Sequence, residues 1–417
     1  MSDHALPSAI ARPSTDASAA ARAAMVARLE KAGDLHPGPV REALLALPRE
    51  ELMPQAYVRR SRPDEKPPRW DLLEWANEAD REELLGVLYS GDGVAIQHAG
   101  EPLIGRMPGP RTGGPMTSMA STVGMTANLL EELGLRPGHR VLDVGTGAGM
   151  TAAVACRICG DAGVVTLDRD RHVTTAARSR LNDLGYQPTV VTGAGEAGWP
   201  QRGPYDRVFV SYAVPRVPSA WMEQLAPGGR ALVNVSSTSP SWPGLAVITR
   251  SPRGLAEGEL RPVELGHRPG HGFERIHISR EFLDRIEAGS DGRTTRSRQA
   301  PPQDDARGLW LALAFLRPGL VRNWGAEHLM VGAPACGSWL TARPDATGGW
   351  AVTAYGPRDI WGEIQNVAAR WRAAGEPSVY RLHLDGDDHQ WVSAGAGIAG
   401  LSWSLRSADS TGVEEER

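Results

Sequence analysis

Arg140-Val141-Leu142-Asp143-Val144-Gly145-Thr146-Gly147-Ala148-Gly149-Met150-Thr151 is the stretch that decides the fold. An apolar run passes through Asp143 into a turn with glycine at every second position, and a helix-forming segment follows. Glycine lets the backbone bend tightly and come close to a ligand, and the helix behind the turn offers free N–H groups that suit an anion. The spacing selects the ligand. Dinucleotide sites use Gly-x-Gly-x-x-Gly to seat a pyrophosphate, whereas Asp-x-Gly-x-Gly-x-Gly suits S-adenosylmethionine, which has no phosphate and presents its amino acid end to the loop. A second run, Val164-Val165-Thr166-Leu167, ends at Asp168. An acidic side chain on the order of 20 residues downstream is placed to accept from both ribose hydroxyls. The cofactor set is therefore Asp143, Gly145, Thr146, Gly147, Gly149, Asp168 and the adjacent Arg169, the alternative being a glycine turn that binds nothing.

Strand and helix patterns alternate on both sides of that loop. A helical stretch through Ala176, Ala177 and Leu181 closes at Gly185, and Thr189-Val190-Val191 follows as a short strand. Residues 193–199 read as a turn, 205–211 as a buried strand, and 225–230 as a helix end before the strand 231–235. The fold class is α/β, a Rossmann-like doubly wound parallel sheet with its ligand beyond the carboxyl ends of the strands.

These residues resemble the protein-L-isoaspartate O-methyltransferase family. Residues 47–54, Leu-Pro-Arg-Glu-Glu-Leu-Met-Pro, look like its "VPRE-x-F-VP" segment, and residues 121–131 line up with its Ser-Gln-Pro helix start. Gly193-Ala194-Gly195-Glu196-Ala197-Gly198-Trp199 is similar to its "GDGxxGW". The chain departs from the pattern at Thr122-Val123, in place of Gln-Pro, and at Ala194, in place of the Asp. The resemblance implies methyl transfer from S-adenosylmethionine to a side-chain carboxylate. A carboxylate is already nucleophilic at neutral pH, so positioning and desolvation are what the site must supply. Ser121 is the candidate catalytic residue, its hydroxyl holding one acceptor oxygen while the other attacks; the competing role is a plain helix N-cap. Thr117, Ser118, Gly195 and Glu196 complete the cofactor-side set.

The C-terminal part, with Gly356-Pro357-Arg358-Asp359-Ile360-Trp361-Gly362 followed by Trp371 and Arg381, resembles extended homologues found beside ribosomal-peptide maturation enzymes. That resemblance implies an aspartyl acceptor in a cyclised precursor peptide, a lanthipeptide or graspetide, whose ester collapses to aspartimide or isoaspartate. General isoaspartate repair is the alternative, and a non-catalytic peptide-binding subunit the alternative of a different class.

Composition constrains the rest. A chain of 417 residues with 41% hydrophobic residues supports two or three packed units. The expected division is a disordered stretch at 1–20, a methyltransferase domain with N-terminal helices at 21–270, and a smaller α+β substrate-recognition module at 271–417. Within it, helices are expected near 22–32 and 40–47, an amphipathic helix or helix pair at 70–88, a Gly/Pro loop at 105–115 and a polar linker at 288–308. In the module, 329–331, 350–355 and 379–384 read as strands and 360–374 as a helix. A net charge of −4 argues against a nucleic-acid surface. With no apolar run of roughly 18 residues and no leader pattern, a cytoplasmic chain without membrane contact is expected. Oligomeric state is left open.

Three further patterns have plain explanations. Cys156-Arg157-Ile158-Cys159 falls inside the helix after the glycine loop, which favours packing over redox or zinc chemistry. His267, His271 and His277 have no acidic or cysteine cluster beside them, so no metal is expected. Residues 385–389, Asp-Gly-Asp-Asp-His, read as a strand-linking turn rather than a calcium loop. The tryptophans between 310 and 403 are core residues or the lining of a peptide groove.

Overall fold

The computed structural model describes residues 15–62, 65–237, 244–252, 256–263, 280–289, 291–324, 328–346, 348–386, 389–395 and 400–405. At its centre is a ten-stranded sheet. Five of its strands are parallel and stand in the order Thr189–Thr192, Val164–Asp168, Val141–Val144, Tyr205–Val214, Leu225–Val235. The chain runs outward from Val141–Val144 in one direction and then returns to build the other side. The order therefore reverses beside the glycine loop, where α/β sheets open a ligand crevice. All four residues of Val141–Val144 are buried, as a parallel strand covered on both faces requires.

Those two faces have different origins. Phe209, Leu232 and Val247 point into one core, where they meet Leu129, Leu130, Val154 and the N-terminal Met25 and Leu44. Val208, Val210, Val233 and Ile248 point into the other, where they meet Trp221, Leu309, Leu313, Ile360, Ile364 and Val367. The second helical layer is thus supplied mainly by Arg307–Leu316 and Ile360–Ala373, both from beyond residue 270.

The sheet itself also crosses that position. After the antiparallel strands Gly244–Arg250 and Ala256–Pro262, the next strand in space is Tyr380–Leu384, with Gly258 opposite Leu382. Gln390–Ala394 and Leu401–Ser404 complete the edge. The described residues from 280 onward therefore do not stand apart as the expected 271–417 module. They contain a second, five-stranded antiparallel sheet, ordered Arg293–Ser297, Trp350–Tyr355, Ser338–Pro344, Leu329–Ala333, Val321–Trp324. They also provide three strands and two helices that the central sheet needs to cover its apolar surface.

Other sequence expectations shift for identifiable reasons. The first helix is Thr15–Ala32, so residues 15–20 are helical rather than disordered; Ser18 is buried and donates to Glu50. Alanine-rich sequence favours helix, and the Glu50 contact anchors it. Residues 1–14 lie outside the described residues, as do His267, His271 and His277. The segment expected as helix over 70–88 is the strand Arg69–Glu74 followed by the helix Arg81–Leu88. Leu72 and Leu73 bury on opposite faces, so the strand shows a continuous apolar pair that periodicity cannot separate from helix. Gly109–Thr112 is a strand inside the expected loop, and Arg293–Ser297 a strand inside the expected linker. Both are edge strands with mostly exposed side chains, which removes their hydrophobic signal.

The N-terminal strands form a five-stranded antiparallel sheet in the order Gly109–Thr112, Arg69–Glu74, Gln55–Arg59, Val94–His98, Met116–Ala120. Its last strand delivers the chain to Ser121. Trp310, Trp339 and Trp403 are buried, so these tryptophans serve the core. Cys156 and Cys159 are buried free thiols, pushed upward in pKa chiefly by burial, which fits packing. Among the described residues no helix is long and apolar enough to cross a membrane, and no group of three acidic, His or Cys side chains is placed to hold a metal.

Candidate active site

The glycine loop closes over the end of the Val141–Val144 strand. Gly145 donates from its backbone N–H to the Leu167 carbonyl at 2.8 Å, tying the loop to the neighbouring strand. Gly147 has φ 51°, and a Cβ there would stand 3.3 Å from the Met119 carbonyl. The end of the Met116–Ala120 strand therefore lies directly over the loop, and Ser121 follows two residues later.

Asp143 sits beneath. It is completely buried, and its Oδ2 accepts from the Thr166 hydroxyl at 2.7 Å, which in turn lies 2.8 Å from the Thr146 hydroxyl. Its Oδ1 is buried with no hydrogen-bond partner among the described residues. Burial, with a smaller contribution from the Asp168 charge, pushes this carboxyl up to about 7. An orphaned buried carboxylate oxygen under a glycine loop costs free energy that a cationic group in the loop would recover.

Asp168 terminates the Val164–Asp168 strand, half-buried. Its Oδ2 accepts from the Gly147 N–H at 3.3 Å and its Oδ1 from the Asp170 N–H at 3.1 Å. Asp170 caps the helix Arg171–Asp183 and accepts from Gln97 Nε2 at 2.9 Å, which pins the N-terminal sheet to this rim. Arg169, between them, is exposed. On the far side, Gly195–Ala197 forms a short 3-10 turn whose Gly195 carbonyl accepts from Trp221 Nε1 at 2.8 Å, and Glu196 is exposed.

Ser121 is exposed, and its hydroxyl has no hydrogen-bond partner among the described residues. The N-cap of the helix Val123–Leu133 is Thr122, whose side chain makes no capping bond. The Ser121 hydroxyl is therefore not spent on the helix. Ser118 is half-buried on the preceding strand, opposite Gln97. Thr117 is different. Its hydroxyl donates to Gln97 Oε1 at 2.7 Å and accepts from the Gly100 N–H at 2.9 Å, so it serves the N-terminal sheet.

Over 158 residues the chain is 35% identical to protein-L-isoaspartate O-methyltransferase 2 of Archaeoglobus fulgidus, covering 36% of this chain and 70% of that one. The chain belongs to the protein-L-isoaspartate O-methyltransferase family. The family model, Protein-L-isoaspartate(D-aspartate) O-methyltransferase (PCMT), matches residues 113–246. Protein-L-isoaspartate O-methyltransferases of Ignicoccus hospitalis and Brucella anthropi are 40% identical over 141 residues and 36% over 140. Each alignment covers 33% of this chain and 66% and 64% of the relative, so the chain spans just under two thirds of these two proteins. A solved structure of a protein-L-isoaspartate O-methyltransferase aligns with a TM-score of 0.46 at 20% identity, covering 92% of this chain and 100% of that one.

Every candidate residue, from Thr117 to Glu196, falls inside the stretch matched by the protein-L-isoaspartate O-methyltransferase model. Tyr212 escaped sequence reasoning, although it stands among these residues. The strand expected to end at 211 continues to Val214. Its signal was a lone aromatic at the strand end, beside a glycine-rich turn that leaves room for it.

Proposed function

We propose that this chain is an S-adenosylmethionine-dependent carboxyl O-methyltransferase acting on the side-chain carboxylate of an isoaspartyl or aspartyl residue. The observation that carries the reading is the Asp143 Oδ1, without a partner among the described residues, under a loop flanked by Asp168 and covered by the strand end that leads to the exposed Ser121. When bound, S-adenosylmethionine supplies an electrophilic methyl group on a sulfonium, whose departing bond returns its electrons to sulfur. Asp143 is suited to the ammonium of the cofactor's amino acid end and Asp168 to its ribose hydroxyls. Ser121 donates to one oxygen of the acceptor carboxylate and leaves the other to attack. No general base is required, because the acceptor is ionised at neutral pH.

Family membership favours the isoaspartyl residue of proteins as acceptor. A second reading, an aspartyl residue in a cyclised ribosomally made peptide en route to aspartimide or isoaspartate, draws support from the extension. Gln390 is buried, donates to the Val217 carbonyl at 2.6 Å and accepts from the Val217 N–H at 2.9 Å, so the extension grips the loop after the Tyr205–Val214 strand. A gripped rim suits a shaped, preorganised acceptor. Mass spectrometry after incubation with S-adenosylmethionine separates the two readings. Methylation of a linear isoaspartyl peptide is the expected result. Methylation confined to a cyclised aspartyl peptide, followed by loss of methanol, would replace the first reading with the second, and no methyl gain on either would defeat both.

A further inference from the structure

The parallel pairing of Tyr205–Val214 with Leu225–Val235 breaks between Phe209–Leu232 and Ala213–Asn234. Across that break Val233 alone faces Val210, Ser211 and Tyr212, so the strand bulges at its carboxyl end, and Asn234 Nδ2 reaches the Val210 carbonyl at 3.4 Å. Bulges beside a crevice re-aim side chains. Here the bulge sends Tyr212 across the top of the Val141–Val144 strand. A Cβ on Gly145 would stand 3.3 Å from Tyr212 Cδ1, and a Cβ on Gly195 would overlap the Tyr212 hydroxyl. The ring thus spans from the glycine loop to the Gly195 turn, and glycine at 195 is what lets the hydroxyl settle there.

That hydroxyl has no hydrogen-bond partner among the described residues, and Tyr212 is only half-buried. Burial first, then the charges of Glu196 and Asp168, push it up to about 12, with Arg169 opposing. It is therefore a neutral donor throughout the working pH range, and the charges that act on it are Glu196 on the Gly195 turn, Asp168 and its neighbour Arg169.

We propose that Tyr212 is a cofactor-binding residue, donating its hydroxyl proton to an acceptor on the adenosyl half of S-adenosylmethionine. The proposal rests on the methyltransferase reading above. The residue is specific in what it demands: an adenosyl ligand with an acceptor between the Asp168 strand end and the Gly195 turn. A hydroxyl left unpartnered in the free protein is paired in the complex, which adds affinity without a new charge.

Calorimetric titration of the full-length chain with S-adenosylhomocysteine and, separately, with 5′-methylthioadenosine tests this. Tyr212→Phe keeps the ring and removes only the hydroxyl, so its fold should persist, as its thermal midpoint will show. Its Kd should rise fivefold or more for both ligands. Unchanged affinity for both ligands, within twofold, would overturn the proposal, as would a loss confined to S-adenosylhomocysteine, which would move the contact to the amino acid half. Asp168→Ala is the companion variant. If wild type binds and Asp168→Ala weakens binding while Tyr212→Phe does not, the Tyr212 assignment alone falls. If wild type binds neither ligand, the methyltransferase reading falls with it.

Discussion

The two halves of the central sheet hold together for different reasons. The half around the glycine loop is parallel and local: five strands between residues 141 and 235, joined mostly by short turns and helices. The half leading to the far edge is antiparallel and assembled from distant pieces, with Leu260 opposite Tyr380 and the Arg307–Leu316 helix packed over the same face. The first half carries the candidate chemistry, and the second supplies cover and grips the rim through Gln390. The family match ends at residue 246, close to where the sheet changes from one kind to the other.

Deleting everything after residue 263 breaks this comparison most severely. The face bearing Val208, Val210, Val233 and Ile248 would lose Leu309, Leu313, Ile364 and Val367 as partners. A parallel sheet open on one side is not stable in water, so complete loss of cooperative thermal unfolding is expected. A truncated chain that still melts cooperatively would show that the extension is an accessory after all.

Ser121→Ala probes the local half alone. The hydroxyl neither caps the helix nor bonds elsewhere among the described residues, so stability and cofactor affinity should hold while methyl transfer falls at least tenfold, about 1.4 kcal/mol. Full turnover in the variant would remove Ser121 from acceptor positioning.

A pH slope arising from Asp143 probes the same half from beneath the loop. Its pKa is about 7 in the folded chain against an ordinary 3.8, so between those values the folded state holds a proton that the unfolded state has released. Stability should therefore fall as pH rises from about 4 to about 7 and be insensitive to this group above that range. Cofactor affinity should move the other way, rising towards pH 8 as Asp143 ionises to meet the ammonium. Chemical denaturation and calorimetry across that range, with Asp143→Asn as the flat control, check both signs.

The local half was the more legible one. Apolar runs set between glycine turns marked Val164–Asp168 and Thr189–Thr192 to within a residue, because strands buried on both faces leave an unbroken apolar signature. In the extension, Trp350–Tyr355 and the helix from Ile360 were equally readable as elements. Arg69–Glu74 and Arg293–Ser297 were not, one because both its faces are apolar, the other because nearly all of it is exposed. Among the candidate site residues, Asp143, Asp168 and the glycines stand out by their spacing, since backbone geometry sets that spacing. Tyr212 does not, because a bulge aims it.

By itself the sequence determined the glycine loop, the two carboxylates beside it and the alternation of strands and helices around them, all of which depend on residues near one another in the chain. Only the tertiary structure decided that Tyr380–Leu384 pairs with Ala256–Pro262, that Gln390 holds Val217, and that the Ser121 hydroxyl has no partner among the described residues. Pairings across more than a hundred residues leave no periodic trace, and whether a hydroxyl is free depends on which partners the folded chain brings within reach.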